Sequence, residues 1–334
     1  MNQPSTLRIA VVGCGRHGQA LAQAVIRSDI LRLAAAVDPD LDAADETARS
    51  GDAQAYPTLR EALVHGDCDA VLIATPHDQL APAALEAIQA GKHLLIEKPM
   101  ALNEAQARGI ELAAVSAGVT CMVGYSFRFG MARHVHDLLT QGAVGELQAI
   151  TGSIGTGRMD EGWRADRATG GGPLLYVGCH LIDLALWLVG REPIEASATV
   201  HPRDDSETDD TSSMLLDFGG GLLAQFLVTQ SAHRFFYDLH VIGREGSITL
   251  RGNNFVQCEI DVNSDVLPPY EEPTTIRPSV QGDHIDMMLM PELAEFADAV
   301  LAQRPPAVTA ADGRRVLRVL DAIRSSRRRV SSHG

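Results

Sequence analysis

The sequence predicts an α/β chain whose N-terminal half is a doubly wound parallel sheet. Apolar, strand-like runs alternate with helical ones from Leu7 to Val123, the order that yields parallel strands joined by crossover helices. A strand–glycine–helix turn, VVGCGRHG, opens the alternation. At 334 residues the chain has room for two domains.

Each element follows in turn. Leu7 to Val12 is a short apolar strand, and the helix after it puts Ala20, Leu21 and Val25 on one face. Leu31 to Val37 is a second strand, ending at Asp38. Ala70 to Ala74 is a third, broken by Thr75-Pro76, with His77 and Asp78 in the loop that follows. Gln79 to Ala90 reads as a helix stopped at Gly91. His93 to Ile96 is a strand that runs into Glu97-Lys98-Pro99. Asn103 caps the next helix, with Glu104 and Gln106 in its first turn. Val119 to Val123 closes the half.

The glycines name a ligand class. Gly13, Gly15 and Gly18 stand between a strand and a helix, and an acid, Asp38, follows Gly18 by twenty residues. In that context the spacing is a dinucleotide fingerprint: a tight turn, a close backbone approach to pyrophosphate, and a close helix–strand contact. The helix N-terminus, with Arg16 and His17, offers N–H groups to the phosphates. A carboxylate at Asp38 accepts hydrogen bonds from ribose hydroxyls and repels a 2′-phosphate. Neither Pro39 nor Asp40 supplies a cation, and Arg16 is the one nearby residue that does. NAD is therefore expected over NADP. Gly13, Asp38, Thr75 and Lys98 all fall at carboxyl ends of strands, where such sheets bind ligands.

In the second half, Gly145 to Ile154, Ile194 to Val200, Ser212 to Asp217, Leu222 to Val228, Tyr237 to Ile242 and Ser247 to Leu250 read as strands. Gly219-Gly220-Gly221 marks a hairpin turn. Helices return at Pro291 to Ala302 and Ala311 to Ser325.

Composition bounds the rest. The chain is 45% hydrophobic and 21% charged, enough for a sizeable core. Its net charge of -15 repels phosphate backbones, so no nucleic-acid partner is expected. The C-terminal SSRRRVSSHG reads as a helix end with a solvated tail. MNQPSTLR lacks the pattern of a signal peptide, and no run of about 18 uninterrupted apolar residues suggests a membrane span. Five scattered cysteines without a CxxC argue against disulfides and zinc. The expectation is a reduced, cytoplasmic enzyme with no metal.

The motif set VVGCGRHG, ATP (Ala74 to Pro76), AGKHLLIEKPMA, VGYSFRF, WRAD…GGGPLLYVGCHLIDLALWLVG and IGREGSI, in that order, resembles the Gfo/Idh/MocA family of oxidoreductases along essentially the whole chain. The resemblance implies a Rossmann domain over residues 1–124. It implies a substrate-binding and oligomerisation domain over 125–334, α+β, with a large, mostly antiparallel open sheet. An open sheet face implies a homodimer or homotetramer. The implied reaction moves a hydride between NAD and a hydroxyl or keto carbon of a sugar, inositol or related polyol. The alternatives are an NAD-dependent sugar lyase or glycosidase that works by transient oxidation, and a non-catalytic NAD-binding regulator.

Within that resemblance Lys98 matches the active-site lysine, placed to bond the reacting hydroxyl and favour its alkoxide. His180 matches the catalytic histidine. Thr75, Pro76, His77 and Glu97 belong to the implied cofactor surface. The chain departs from the family pattern at two places. Leu80 stands where a histidine is common, and Tyr176 stands where an aspartate usually precedes the catalytic histidine by four residues. At that spacing on a regular helix, Tyr176 and His180 share a face, and Tyr176 is expected to act as a proton relay or hydrogen-bond donor. Asp183 is placed to orient the imidazole or contact substrate. Tyr125, Arg128, Trp163 and Arg164 are the remaining expected substrate contacts.

Overall fold

The computed structural model describes residues 6–158, 161–202, 209–254, 256–277, 282–326 and 328–329. Compactness divides the chain into Met1–Ser126 with His284–Arg314, and Phe127–Asp283 with Arg315–Gly334. This differs from a single cut after residue 124: the segment from His284 to Arg314 belongs to the N-terminal unit. A long-range partner decides that membership, since the Val123 N–H donates to the Val308 carbonyl at 3.1 Å.

The N-terminal unit alternates β1 (Leu7–Val12), α1 (Arg16–Arg27), β2 (Leu31–Val37), α2 (Leu41–Arg49), β3 (Gln54–Tyr56), α3 (Leu59–His65), β4 (Ala70–Ile73), α4 (His77–Gln89), β5 (His93–Glu97), α5 (Glu104–Ala117) and β6 (Cys121–Gly124). The strands form one sheet in the order β3-β2-β1-β4-β5-β6, parallel throughout. β1, β4 and β5 are buried almost end to end, as strands covered on both faces must be. Side-chain caps start three of these helices: Asp40 accepts from the Asp42 and Ala43 N–H groups, Thr58 from Glu61, and Asn103 from Gln106. The strand order reverses between β1 and β4, which opens the crevice used by ligands in such sheets. The sequence reading did not include α2, β3 and α3.

The second unit holds α6 (Ala132–Thr140), β7 (Leu147–Gly155), α7 (Arg167–Gly170), α8 (Cys179–Val189), β8 (Glu195–Pro202), β9 (Asp209–Asp217), β10 (Leu223–Thr229), β11 (Phe236–Gly243), β12 (Gly246–Gly252), β13 (Cys258–Ser264) and β14 (Thr274–Ile276). After α9 (Met290–Leu301) and α10 (Ala310–Ser326) comes β15 (Arg328–Arg329). The sheet order is β14-β13-β12-β11-β7-β10-β9-β8-β15. Only the β10–β7 and β15–β8 pairs are parallel. β10 alternates strictly, with Ala224, Phe226 and Val228 buried and Leu223, Gln225 and Leu227 exposed. The turn at Gly219 to Gly221 joins β9 to β10 with positive φ at all three residues.

One expectation changes here. Arg328 and Arg329, read as tail, pair with Thr199 and Val200 as an edge strand; residues 330–334 lie outside the described ones. The helical stretch Arg167–Val189 is long and apolar enough to cross a bilayer, yet 78% of its apolar window is buried. The core helix of a folded protein meets the same criterion. All five cysteines are buried free thiols.

Candidate active site

In the N-terminal unit the site begins where side chains are absent. Gly13 has φ +90°, and a Cβ there would lie 2.6 Å from the Ala74 carbonyl oxygen. A Cβ on Gly18 would lie 1.7 Å from the Gly13 oxygen, so α1 meets β1 at backbone contact. Gly15 begins α1 with no side-chain cap, and nothing stands within 4 Å of where its Cβ would be. The first N–H groups of α1, on Arg16, His17 and Gly18, have no acceptor within the helix. Arg16 is exposed.

Asp38 is fixed beside this turn. Its Oδ2 accepts from the Cys14 N–H at 2.8 Å and its Oδ1 from the Asp40 N–H at 2.9 Å. A carboxylate has about four acceptor positions, so two remain. Thr75 follows β4 with its Oγ1 buried and without a hydrogen-bond partner. Pro76 precedes α4, and His77, its first residue, is buried. At the end of β5, Glu97 Oε1 lies 2.7 Å from His17 Nε2, and the Lys98–Pro99 peptide is cis. Tyr125 is buried just beyond β6.

In the second unit, a five-residue π-turn at Leu174–Gly178 carries Tyr176 directly into α8, which carries His180 and Asp183. The wider turn takes about one more residue per turn than a regular α-helix. The Tyr176 ring meets Trp163 edge to face at 6.4 Å. The buried His180 ring packs on Phe127 at 4.6 Å. Asp183 accepts a two-pronged bond from Arg128, Nε to Oδ2 at 2.9 Å and Nη2 to Oδ1 at 2.6 Å. Both side chains are buried, at 7% and 1% exposure. The Arg128 guanidinium also lies over Trp187 at 5.3 Å, and Trp187 stacks on His136 at 4.3 Å. Phe127 and Arg128 share one 3-10 turn, Ser126–Phe129, so adjacent residues grip His180 and Asp183 on α8.

The profile described as the oxidoreductase family NAD-binding Rossmann fold matches residues 7–125, and that of the GFO/IDH/MocA C-terminal domain matches residues 132–249. The chain is a Gfo/Idh/MocA oxidoreductase. It is similar to trans-1,2-dihydrobenzene-1,2-diol dehydrogenase of Oryctolagus cuniculus, 30% identical over 245 residues, 73% of this chain and 74% of that one. Its fold matches GenD2 from gentamicin A biosynthesis in complex with NAD at TM-score 0.85, with 26% identity and coverage of 98% and 95%. It also matches an aldose-aldose oxidoreductase from Caulobacter crescentus complexed with glycerol at TM-score 0.84, with 25% identity and coverage of 96% and 97%.

The dinucleotide-binding surface of this oxidoreductase fits the cofactor. The turn leaves no volume for a side chain at Gly13 or Gly18, open space at Gly15, an orphaned hydroxyl at Thr75, and a carboxylate with acceptor positions to spare at Asp38. Among the described residues, no group of three or more His, Cys, Asp or Glu side chains is placed to hold a metal ion.

Sequence reasoning missed Glu292. It reads as an ordinary acid in the first turn of α9, after Pro291. In the structure it is fully buried, and both carboxylate oxygens lack hydrogen-bond partners. Burial, then the nearby Glu97 charge, push its carboxyl well above the ordinary glutamate value. Burial works to raise Glu97 too, but the charge and hydrogen bond of His17, together with Lys98, outweigh it and hold Glu97 below that value. No local pattern announces this pair, whose members, Glu97 and Glu292, are far apart in the sequence.

Proposed function

We propose that the protein transfers a hydride between NAD and a hydroxyl or keto carbon of a sugar, inositol or related polyol. The observation that carries the cofactor choice is the Asp38 carboxylate, held by two backbone N–H groups beside the glycine turn. An anion fixed there accepts ribose hydroxyls and opposes a 2′-phosphate. The substrate class is supported by the relatives, whose names specify a vicinal diol and aldoses. Bound NAD supplies the hydride acceptor.

The residues then divide the work. Arg16, His17 and the glycines line the phosphate end, while Thr75, Pro76, His77 and Glu97 support the remainder of the cofactor. The Lys98 ammonium bonds the reacting oxygen and favours its anionic form. The His180 imidazole takes the hydroxyl proton as the carbon-bound hydrogen leaves as hydride. The Tyr176 hydroxyl donates a hydrogen bond or relays that proton. Trp163 and Arg164 face the substrate. Tyr125 is a buried wall, and Arg128 with Asp183 hold the helix that carries His180. Leu215, Leu223 and Leu227, exposed on the second sheet, form the centre of a homo-oligomer interface, which light scattering tests.

The decisive experiment follows NADH absorbance with a panel of sugars and polyols. Net NADH formation is expected, with His180→Ala and Lys98→Ala each about 10²–10⁴ slower while NAD still binds. Turnover without net NADH would overturn the reading in favour of elimination through transient oxidation. Tighter NADP than NAD binding by the unmodified protein would overturn the cofactor assignment.

A further inference from the structure

We infer that Arg164 is an anion-binding group and that the substrate carries a carboxylate. The inference rests on the dehydrogenase reading above and deepens it by naming a class: an acidic sugar or polyol.

Arg164 lies over two aromatic rings. Its guanidinium carbon lies 4.3 Å from the centre of the Trp163 ring and 5.4 Å from that of Tyr176. The two rings are nearly perpendicular, at 83°. The backbone is pinned as well. The Thr169 hydroxyl donates to the Trp163 carbonyl at 2.8 Å. Gly170 approaches so closely that a Cβ there would lie 2.6 Å from that oxygen and 2.9 Å from the Arg164 Cα. The position of the guanidinium is therefore supported by two rings and a pinned backbone.

Its donors are left over. Aromatic contacts attract the cation through the ring faces, but the five N–H donors lie in the guanidinium plane and point along its edges. The Arg164 Nε is buried without a hydrogen-bond partner, and among the described residues no acid forms an ion pair with this side chain. Acids outnumber bases here, 43 to 28, and Arg128, Arg251, Arg304 and Arg314 all hold carboxylates. Asp166, two residues on, spends its carboxylate on the Ala168 N–H at 2.8 Å. A half-buried cation without an acid partner is therefore a local exception. The acceptor that best matches a fixed, planar fork is a carboxylate, which takes two parallel bonds.

Location ties this edge to the chemistry. Tyr176 lies four residues before His180 in one continuous helical stretch, a rise of roughly 6 Å at the α-helical value. A carboxylate on Arg164 leaves the hydroxyl-bearing carbons of a sugar acid to reach toward the imidazole. The ring of Tyr176 thus has a task separate from that of its hydroxyl: it fixes the recognition cation.

The test uses the full-length protein, NAD and matched pairs: glucuronate against glucose and galacturonate against galactose, with glucose 6-phosphate as the phosphate arm. The expected result is a kcat/KM for each acid about ten- to a hundredfold above that of its neutral partner, collapsing toward equality in Arg164→Gln. Arg164→Lys keeps the charge, loses the fork, and should retain part of the preference. It also serves if the glutamine variant does not fold. Equal handling of acid and neutral sugars, or full preference in Arg164→Gln, overturns the inference. Preference for the phosphate over both uronates overturns the carboxylate assignment. Tryptophan fluorescence separates the two readings. Quenching by glucuronate but not glucose, lost in Arg164→Gln, upholds the anion site even if no sugar reduces NAD. Neither quenching nor turnover with any acid overturns it.

Discussion

The glycine turn of the N-terminal unit and the Trp163–Asp183 region of the second unit achieve fixed geometry by opposite means. At the turn, position comes from backbone and from missing side chains: Gly13 and Gly18 exclude any Cβ, and Asp38 is fixed by two N–H groups. In the second region, side chains do the holding. Phe127 packs on His180, Arg128 forks onto Asp183, and two rings face Arg164. A backbone-built site is written in glycine spacing within a few residues. A side-chain-built site depends on partners far apart, as with Arg128 and Asp183, 55 positions apart.

The largest effect should come from breaking the second kind. Asp183→Ala leaves the Arg128 charge buried without its partner, and such losses are about 3–5 kcal/mol. Urea unfolding measures this, and a change under about 1 kcal/mol would show that the pair behaves like a surface contact. Replacing both residues by apolar ones of similar volume should be far milder. If stability returns while kcat stays low and its pH profile shifts, the pair positions His180 as well as stabilising the helix.

Breaking the first kind should disturb binding more than folding. Gly18→Ala forces a methyl group into the Gly13 carbonyl, so α1 must move away from β1. NAD affinity is expected to fall about a hundredfold, equivalent to about 2.7 kcal/mol. Calorimetric titration that found affinity within about threefold, roughly 0.7 kcal/mol, would show that the turn yields to the added methyl group.

The smallest effect sharpens the comparison, because Glu292 is placed by neither device. Its folded value lies well above the ordinary 4.5, so between those values the native state keeps a proton that the unfolded chain has released. Stability therefore falls as pH rises above about 4.5, at no more than about 1.4 kcal/mol per pH unit. Glu97, held low, contributes the opposite dependence, lost only as pH drops below its ordinary range. Comparing wild type with Glu292→Gln at pH 5, 6.5 and 8 isolates the first effect. The glutamine variant should gain on the wild type toward pH 8; a constant difference would remove Glu292 as a buried, protonated acid.

The sequence alone determined the parallel sheet, the dinucleotide turn, Asp38 and most of the long strands. All of these rest on local periodicity or short fixed spacing, which chain order preserves. Asn103 capping α5 and the turn at Gly219 to Gly221 were legible for the same reason. Three-residue β3 and β14 are too short to show a period, whereas β13 alternates buried Cys258, Ile260 and Val262 with Glu259, Asp261 and Asn263, a period-two signal that was legible though absent from the strands expected above. Only the tertiary structure decided that His284 to Arg314 returns to the first unit, that Arg128 and Asp183 satisfy each other, that Tyr176 turns its ring to Trp163 and Arg164, and that Glu292 is buried. Each depends on which distant groups meet after folding, and burial or pairing at a distance leaves no periodic trace in the chain.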